Sequence, residues 1–119
     1  MSIVIKRVYE KPHEDDGTRI LVDRLWPRGL SKQAAHLDDW MKDIAPSDEL
    51  RKWFGHREER WEEFHRAYSR ELAQQHEHLL ELRKLARHGP VTLLYAAKNE
   101  EQNNAVVIRD YLSRGDSKE

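Results

Sequence analysis

The chain contains no cysteine. That excludes a disulfide scaffold, a thiol nucleophile and thiolate metal ligation, and it fits a reducing compartment. Neither charge is in excess: 21 basic and 22 acidic side chains leave a formal net charge of −1. Without a global basic field to draw in phosphate backbones, nucleic acid is not expected as a partner. No stretch approaches the roughly 18 apolar residues of a membrane span. Met1 to Tyr9 lacks an apolar signal region followed by small residues, so no membrane role is expected and a cytoplasmic location is the default. There is no G-x-S-x-G elbow for a nucleophilic serine. Repeats, linkers and low-complexity segments are absent too.

What remains is a polar chain of 119 residues, 38% hydrophobic and 36% charged. That length suits one domain with a real core. The apolar residues are clustered. Ile3, Val4, Ile5 and Val8 read as a first strand, and Ile20, Leu21, Val22 and Leu25 as a second. Glu10 to Gly17 is a polar loop between them, shorter than the dozen residues that a parallel crossover to a neighbouring strand needs. Either the strand ends lie close or that pair is antiparallel. Ser31 can cap a short helix through Ala34 and Ala35. Leu37, Trp40, Met41 and Ile44 fit a short strand or an irregular wall. Ser47 is placed to cap a helix with Asp48 and Glu49 in its first turn, ending near Gly55.

Trp61, Phe64, Tyr68 and Leu72 are spaced three, four and four apart, one helical stripe whose natural reading is core. Leu79, Leu82 and Leu85 continue the pattern, with a break expected near Gln74 to His76. Gly89-Pro90 ends it. "VTLLYAA", Val91 to Ala97, reads as a strand buried on both faces, as in parallel sheets. Asn99 with Gln102 has capping-box spacing for a last helix that carries Ala105, Val106, Ile108, Tyr111 and Leu112 and stops at Gly115. The expectation is an α/β fold: a single compact domain over residues 1–115, a mainly parallel central sheet flanked by helices, and a frayed tail at 116–119.

Three segments have functional chemistry. In "VDRLWPRGLS" the chain leaves the second strand into Arg24, Trp26, Pro27, Arg28 and Gly29, at the carboxyl edge where open α/β sheets bind ligands. Guanidinium forks suit carboxylate or phosphate, and a tryptophan can stack on a planar ligand. The bland alternative is a buried pair between Asp23 and an arginine, with Trp26 covering core. In "AAKNEEQNNAV", Lys98 precedes a helix start, with Asn103 and Asn104 in reach of a ligand; alternatively the asparagines cap and the lysine is solvated. In "SDELRKWFGH", Arg51 lies one turn after Ser47. His56 follows Gly55 and is the best general acid–base candidate among seven histidines. His76 and His78 are two apart, which is not ligand spacing on a helix, and no metal site is expected. Glu71, one turn after Tyr68, is within reach of a buried arginine. The motifs name no cofactor and do not decide whether the chain is an enzyme.

At "VDRLWPRG", "APSDELRKWFGH", "RWEEFHRAYSREL" and "VTLLYAAKNEEQNNAV" the chain resembles the YeaO-like family, small bacterial proteins of domain of unknown function 488. The resemblance runs from Ile5-Lys6-Arg7 to Val107. It implies a compact α/β domain with a mainly parallel sheet and brings no established activity with it. The chain has no glycine-rich cofactor loop after its first strand and no winged-helix pattern, which argues against the methyltransferase and transcriptional-regulator labels of some relatives.

Two functions compete. One is a site for a small anionic molecule at the carboxyl edge of the sheet, formed by Arg24, Trp26, Arg28, Arg51, Lys98, Asn103 and Asn104, with His56 as the catalytic candidate. The other is a non-enzymatic regulatory or interaction module, in which Trp26, Trp40 and Trp53 form an exposed patch with arginine for a protein partner, including a homodimer paired across a twofold axis. Shape discriminates: a concave pocket favours the first, a flat patch the second.

Overall fold

A strand without a polar side needs cover on both faces and a neighbour on each edge. Val91–Tyr95 is buried at every position and forms the central strand β4. A computed structural model describes residues 3–117. Its sheet consists of β1 (Ile3–Arg7), β2 (Thr18–Leu21), β3 (Asp39–Trp40) and β4, in the order β1-β4-β2-β3, with every pair parallel. The helices are α1 (Lys32–Ala35), α2 (Asp48–Phe54), α3 (Trp61–Leu72), α4 (His76–His88) and α5 (Asn104–Ser117). This is the expected α/β architecture with a parallel sheet.

The question of the first two strands resolves in a third way. They are parallel but not neighbours, because β4 lies between them. Ten extended residues reach about 33 Å. A return along a strand of about 16 Å and across two strand spacings, about 10 Å, therefore needs no helix. The loop is fixed to the sheet: the Thr92 hydroxyl donates to the Asp16 carbonyl at 2.7 Å. Gly17 allows the last turn. Its φ is +64°, and a Cβ there would lie 2.1 Å from the Pro90 carbonyl oxygen, which accepts the Thr18 amide.

Period-two alternation sorts the strand residues onto two unequal faces. Ile3, Ile5, Ile20, Val22, Val91, Leu93 and Tyr95 join the main core with Phe54, Phe64, Tyr68, Leu79, Leu82, Ile108 and Leu112. The four longer helices thus cover one face. The other has a small cluster, Val8, Leu21 and Leu94 under Trp26, Leu30, Leu37 and Trp40. Beside it lies a polar group. Arg19, buried, donates to Asp16, to the His36 carbonyl at 3.1 Å and to the Ala35 carbonyl at 2.9 Å. Lys6 reaches Asp16 at 3.2 Å. Burial alone would push the Asp16 carboxyl up, but hydrogen bonds from the His13 amide, Lys6 and Arg19 hold it below its ordinary 3.8.

Local signals hold at most element ends. Ser31 and Ser47 accept from the Ala34 and Leu50 amides as N-caps, and Gly55 closes α2 in the left-handed region. The helix break falls at residues 73–75, between α3 and α4. Three expectations change. The second strand stops at Leu21, although the Val22 amide still bonds the Leu94 carbonyl at 3.1 Å. The last helix starts at Asn104, and its cap is Asn103, whose Oδ1 accepts the Val106 amide at 3.1 Å; Asn99 instead closes a turn by accepting from the Glu101 and Gln102 amides. α5 runs through Gly115 to Ser117, and the part of the expected tail beyond it lies outside the described residues.

The aromatic stripe is core, with its weight at Phe64 and Tyr68. Phe64 stacks on Phe54 with centroids 4.2 Å apart, while Trp61 is half-buried at the stripe's end. Phe64→Ala is therefore expected to destabilise by about 3–5 kcal/mol, and Trp61→Ala by clearly less. Urea unfolding of the two variants checks the order. Asp16 supplies a second expectation. A carboxyl lowered in the folded state adds stability that is present above 3.8 and lost as pH falls through its depressed value. Asp16→Asn should flatten the acid limb of the stability curve, measured by thermal melts below about pH 4.

Candidate functional site

The carboxyl ends of β2 and β4 are adjacent, with Leu21 in register with Leu94. Both chains turn away from the sheet there, and the space they leave is a cavity of about 730 Å³, within the usual range for small-molecule sites. Residues 23–27 form one wall, 96–99 a second, Asn103 and Asn104 a third, and Arg51, Lys52 and Phe54 to His56 from the end of α2 a fourth.

Asp23 ties two of these walls together. Its Oδ2 accepts the Ala96 amide at 2.9 Å and its Oδ1 accepts Asn104 Nδ2 at 3.0 Å. Asn104 Nδ2 also donates to the Val22 carbonyl at 2.9 Å. Both hydrogens of that amide are thus engaged, so Asn104 has only its carbonyl oxygen for a ligand. Burial raises the Asp23 carboxyl above 3.8, opposed by the hydrogen bonds from Asn104 and Ala96 and by the charge of protonated His56.

Among the described residues, the anticipated pair between Asp23 and an arginine does not form. Arg24 turns the other way: Nε donates to the Pro46 carbonyl at 3.2 Å, one terminal nitrogen donates to the Ala45 carbonyl at 3.4 Å, and Asp48 stands 3.8 Å from Nε. Asp48 also lies 3.6 Å from a terminal nitrogen of Arg51. The Arg51 Nε is buried in the cavity wall without a hydrogen-bond acceptor. Lys98 is exposed at the rim.

The structure thus brings together Arg24, Trp26, Arg51, His56, Lys98, Asn103 and Asn104 around one cavity. Arg28 is not among them. It is exposed, and its carbonyl accepts from the Tyr9 hydroxyl at 2.8 Å. Asn103 is buried in the wall, donating to the Asn99 carbonyl at 2.9 Å while it caps α5. Trp26 gives its indole N–H to the Leu30 carbonyl at 2.6 Å and packs edge-on against Trp40 at 5.3 Å. Trp40 donates to the Asp23 carbonyl at 2.6 Å. Trp53 belongs to the other core, under the Arg60 guanidinium at 5.0 Å, so the three tryptophans form no single patch. Glu71 meets Ser47, not an arginine, accepting its amide at 2.8 Å and its hydroxyl at 2.6 Å. The sequence reading omitted Asp23 and Lys52 from the site. The signal for Asp23 was present: an acid placed directly after the buried run "ILV". Among the described residues no group of three or more His, Asp or Glu side chains could hold a metal ion, and no helix is long and apolar enough to cross a membrane.

Fold and cavity define a small parallel-sheet protein with a cation-rich pocket at the carboxyl edge. The chain belongs to the family described as the inactive DUF488-N3 subclade, whose model matches residues 2–119. It is 48% identical to the uncharacterized protein YeaO of Escherichia coli K12 over 94% of this chain and 97% of that one. It is 42% identical to the uncharacterized protein Rv3073c of Mycobacterium tuberculosis H37Rv over 92% of each. No solved structure matches.

Asp23 gives a stability prediction with a sign. A carboxyl raised in the folded state binds its proton more tightly there than in the unfolded chain. Its contribution therefore falls as pH rises from 3.8 through the raised value, and levels above it. Asp23→Ala should remove that slope and leave the Ala96 amide unpaired, for a loss of about 1–3 kcal/mol near neutral pH. Chemical denaturation at several pH values measures both.

Proposed function

We propose that this protein binds a small organic anion in the cavity at the carboxyl edge of the sheet, and does so without transforming it. The observation that carries the reading is the mismatch of charge around the cavity. Arg24, Arg51, Lys52 and Lys98 line it, and Asp23, the one acidic lining residue among the described residues, bonds the Ala96 amide and Asn104. The geometry of Arg24 supports an anion partner: backbone carbonyls hold Nε and one terminal nitrogen, and the other terminal nitrogen has no bond among the described residues. A guanidinium fixed on one edge presents the other in a set direction. Leu25, Pro27, Pro46, Phe54 and Phe64 add apolar wall, which suits an anion with a carbon skeleton. Binding without turnover fits the lining, which includes no Ser, Thr or Tyr among the described residues. It also fits the word "inactive" in the description of the family. His56 stands exposed at a left-handed turn in the cavity wall.

The test is a thermal-shift and calorimetry panel of phosphate, succinate, benzoate, 3-phenylpropionate and a sugar phosphate. At least one should stabilise the wild-type chain, by about 2.7 kcal/mol at 100 times its Kd. Charge-assisted hydrogen bonds contribute about 1.5–3 kcal/mol, so Lys98→Ala and the charge-preserving Arg24→Lys should each weaken binding about 10- to 100-fold. Arg28→Ala, outside the cavity, should leave it unchanged. A panel without a binder, or a binder indifferent to both cavity variants, overturns the reading.

A further inference from the structure

Two polar groups in this cavity lack the partner their chemistry calls for. Asp23 has no Lys, Arg or His nitrogen at ion-pairing distance among the described residues, although it is half-buried and lines a cavity shared with Arg24, Arg51, Lys52 and Lys98. Each carboxylate oxygen accepts one neutral donor, from Ala96 and from Asn104, and a carboxylate has about four acceptor positions in all. Two therefore remain. Beside it, Asn104 has both amide hydrogens engaged and offers only an acceptor. Elsewhere in the lining the Arg51 Nε is buried with a donor and no acceptor. Glu71 likewise accepts one neutral donor on each oxygen, the amide and the hydroxyl of Ser47, but it lines a separate pocket of about 300 Å³ and not this cavity.

We infer that the ligand is a zwitterion, an α-amino acid with an apolar side chain, whose ammonium group is received by Asp23 and the Asn104 carbonyl oxygen and whose carboxylate is received by Arg51, Arg24 and Lys98. The inference rests on the anion-binding reading and narrows it. A plain anion answers the guanidinium side of the cavity and leaves Asp23 facing its negative charge. A zwitterion answers both sides, since each unpaired group meets its opposite. The side chain would lie against Phe54, Phe64 and Leu25, which carry no polar atom beyond the backbone.

The decisive experiment uses ligands, so it does not depend on a variant that folds. Binding of L-phenylalanine and L-leucine to the wild-type chain is measured by calorimetry against 3-phenylpropionate, which lacks the amino group, and N-acetyl-L-phenylalanine, whose amino group is uncharged. The expected result is binding of an amino acid at least 10-fold tighter than of either analogue. Asp23→Asn should bring that ratio to about one. The asparagine must turn its NH₂ toward one of two existing donors, so the variant is read only after its melting curve. Equal affinity for L-phenylalanine and 3-phenylpropionate, or tighter binding of the latter, overturns the zwitterion while the anion reading stands. Binding of neither amino acid also overturns it, and the anion panel then decides the broader reading by itself.

Discussion

A strand buried on both faces between two parallel neighbours sets the terms for everything else in this molecule. β4 has no solvent side, so β1 and β2 must flank it and both sheet faces must be covered. Parallel pairing puts the carboxyl ends of β2 and β4 at the same edge, with Leu21 opposite Leu94. The next residues are then forced into proximity, although they are some seventy positions apart. That is why Asp23 can take the Ala96 amide and why Arg24 and Lys98 share one cavity. The site is a consequence of the register.

The second consequence is electrostatic. The Ala96 amide has left the ladder and would be an orphan donor beside the core; Asp23 satisfies it. The same carboxylate accepts from Asn104 at the start of α5. Satisfying backbone with an acid places a charge in a poorly solvated position, and its raised carboxyl reflects that burial. Arg24 does not neutralise it, because the carbonyls of Ala45 and Pro46 hold that guanidinium. Repulsion among cations and desolvation of one acid therefore coexist in one cavity, an arrangement that stability alone does not call for.

Much of this was legible in the sequence wherever the signal was local. Ser31 and Ser47 announce caps by chemistry, the break between α3 and α4 shows in the interrupted stripe, and "VTLLYAA" reads as a buried strand because no residue offers water a face. The order of strands was not legible, since a short loop between two strand signals says nothing about a third strand inserted between them from residue 91 onward. Asn99 and Asn103 have the same capping chemistry, and only the packing of Ala105, Val107 and Ile108 into the core decides which of them starts the helix. Arg24 and Arg28 were equivalent in composition. Carbonyls of Pro46 and Ala45 hold Arg24 at the cavity, whereas Arg28 lies exposed in the turn that the Trp26 indole closes on Leu30.

That turn also dissolves the choice between brace and binding wall. Trp26 and Trp40 donate their indole hydrogens to Leu30 and Asp23 carbonyls, which is bracing by any measure. Each involves a residue of the cavity wall, Trp26 or Asp23. A wall whose backbone is fixed loses little conformational freedom when a ligand arrives, so rigidity of this kind favours affinity rather than competing with it. Arg24 repeats the pattern, half committed to carbonyls and half available. Residues that a structural reading assigns to support and a functional reading assigns to recognition are here the same residues, because recognition by a few charge-assisted bonds requires their donors to be held still.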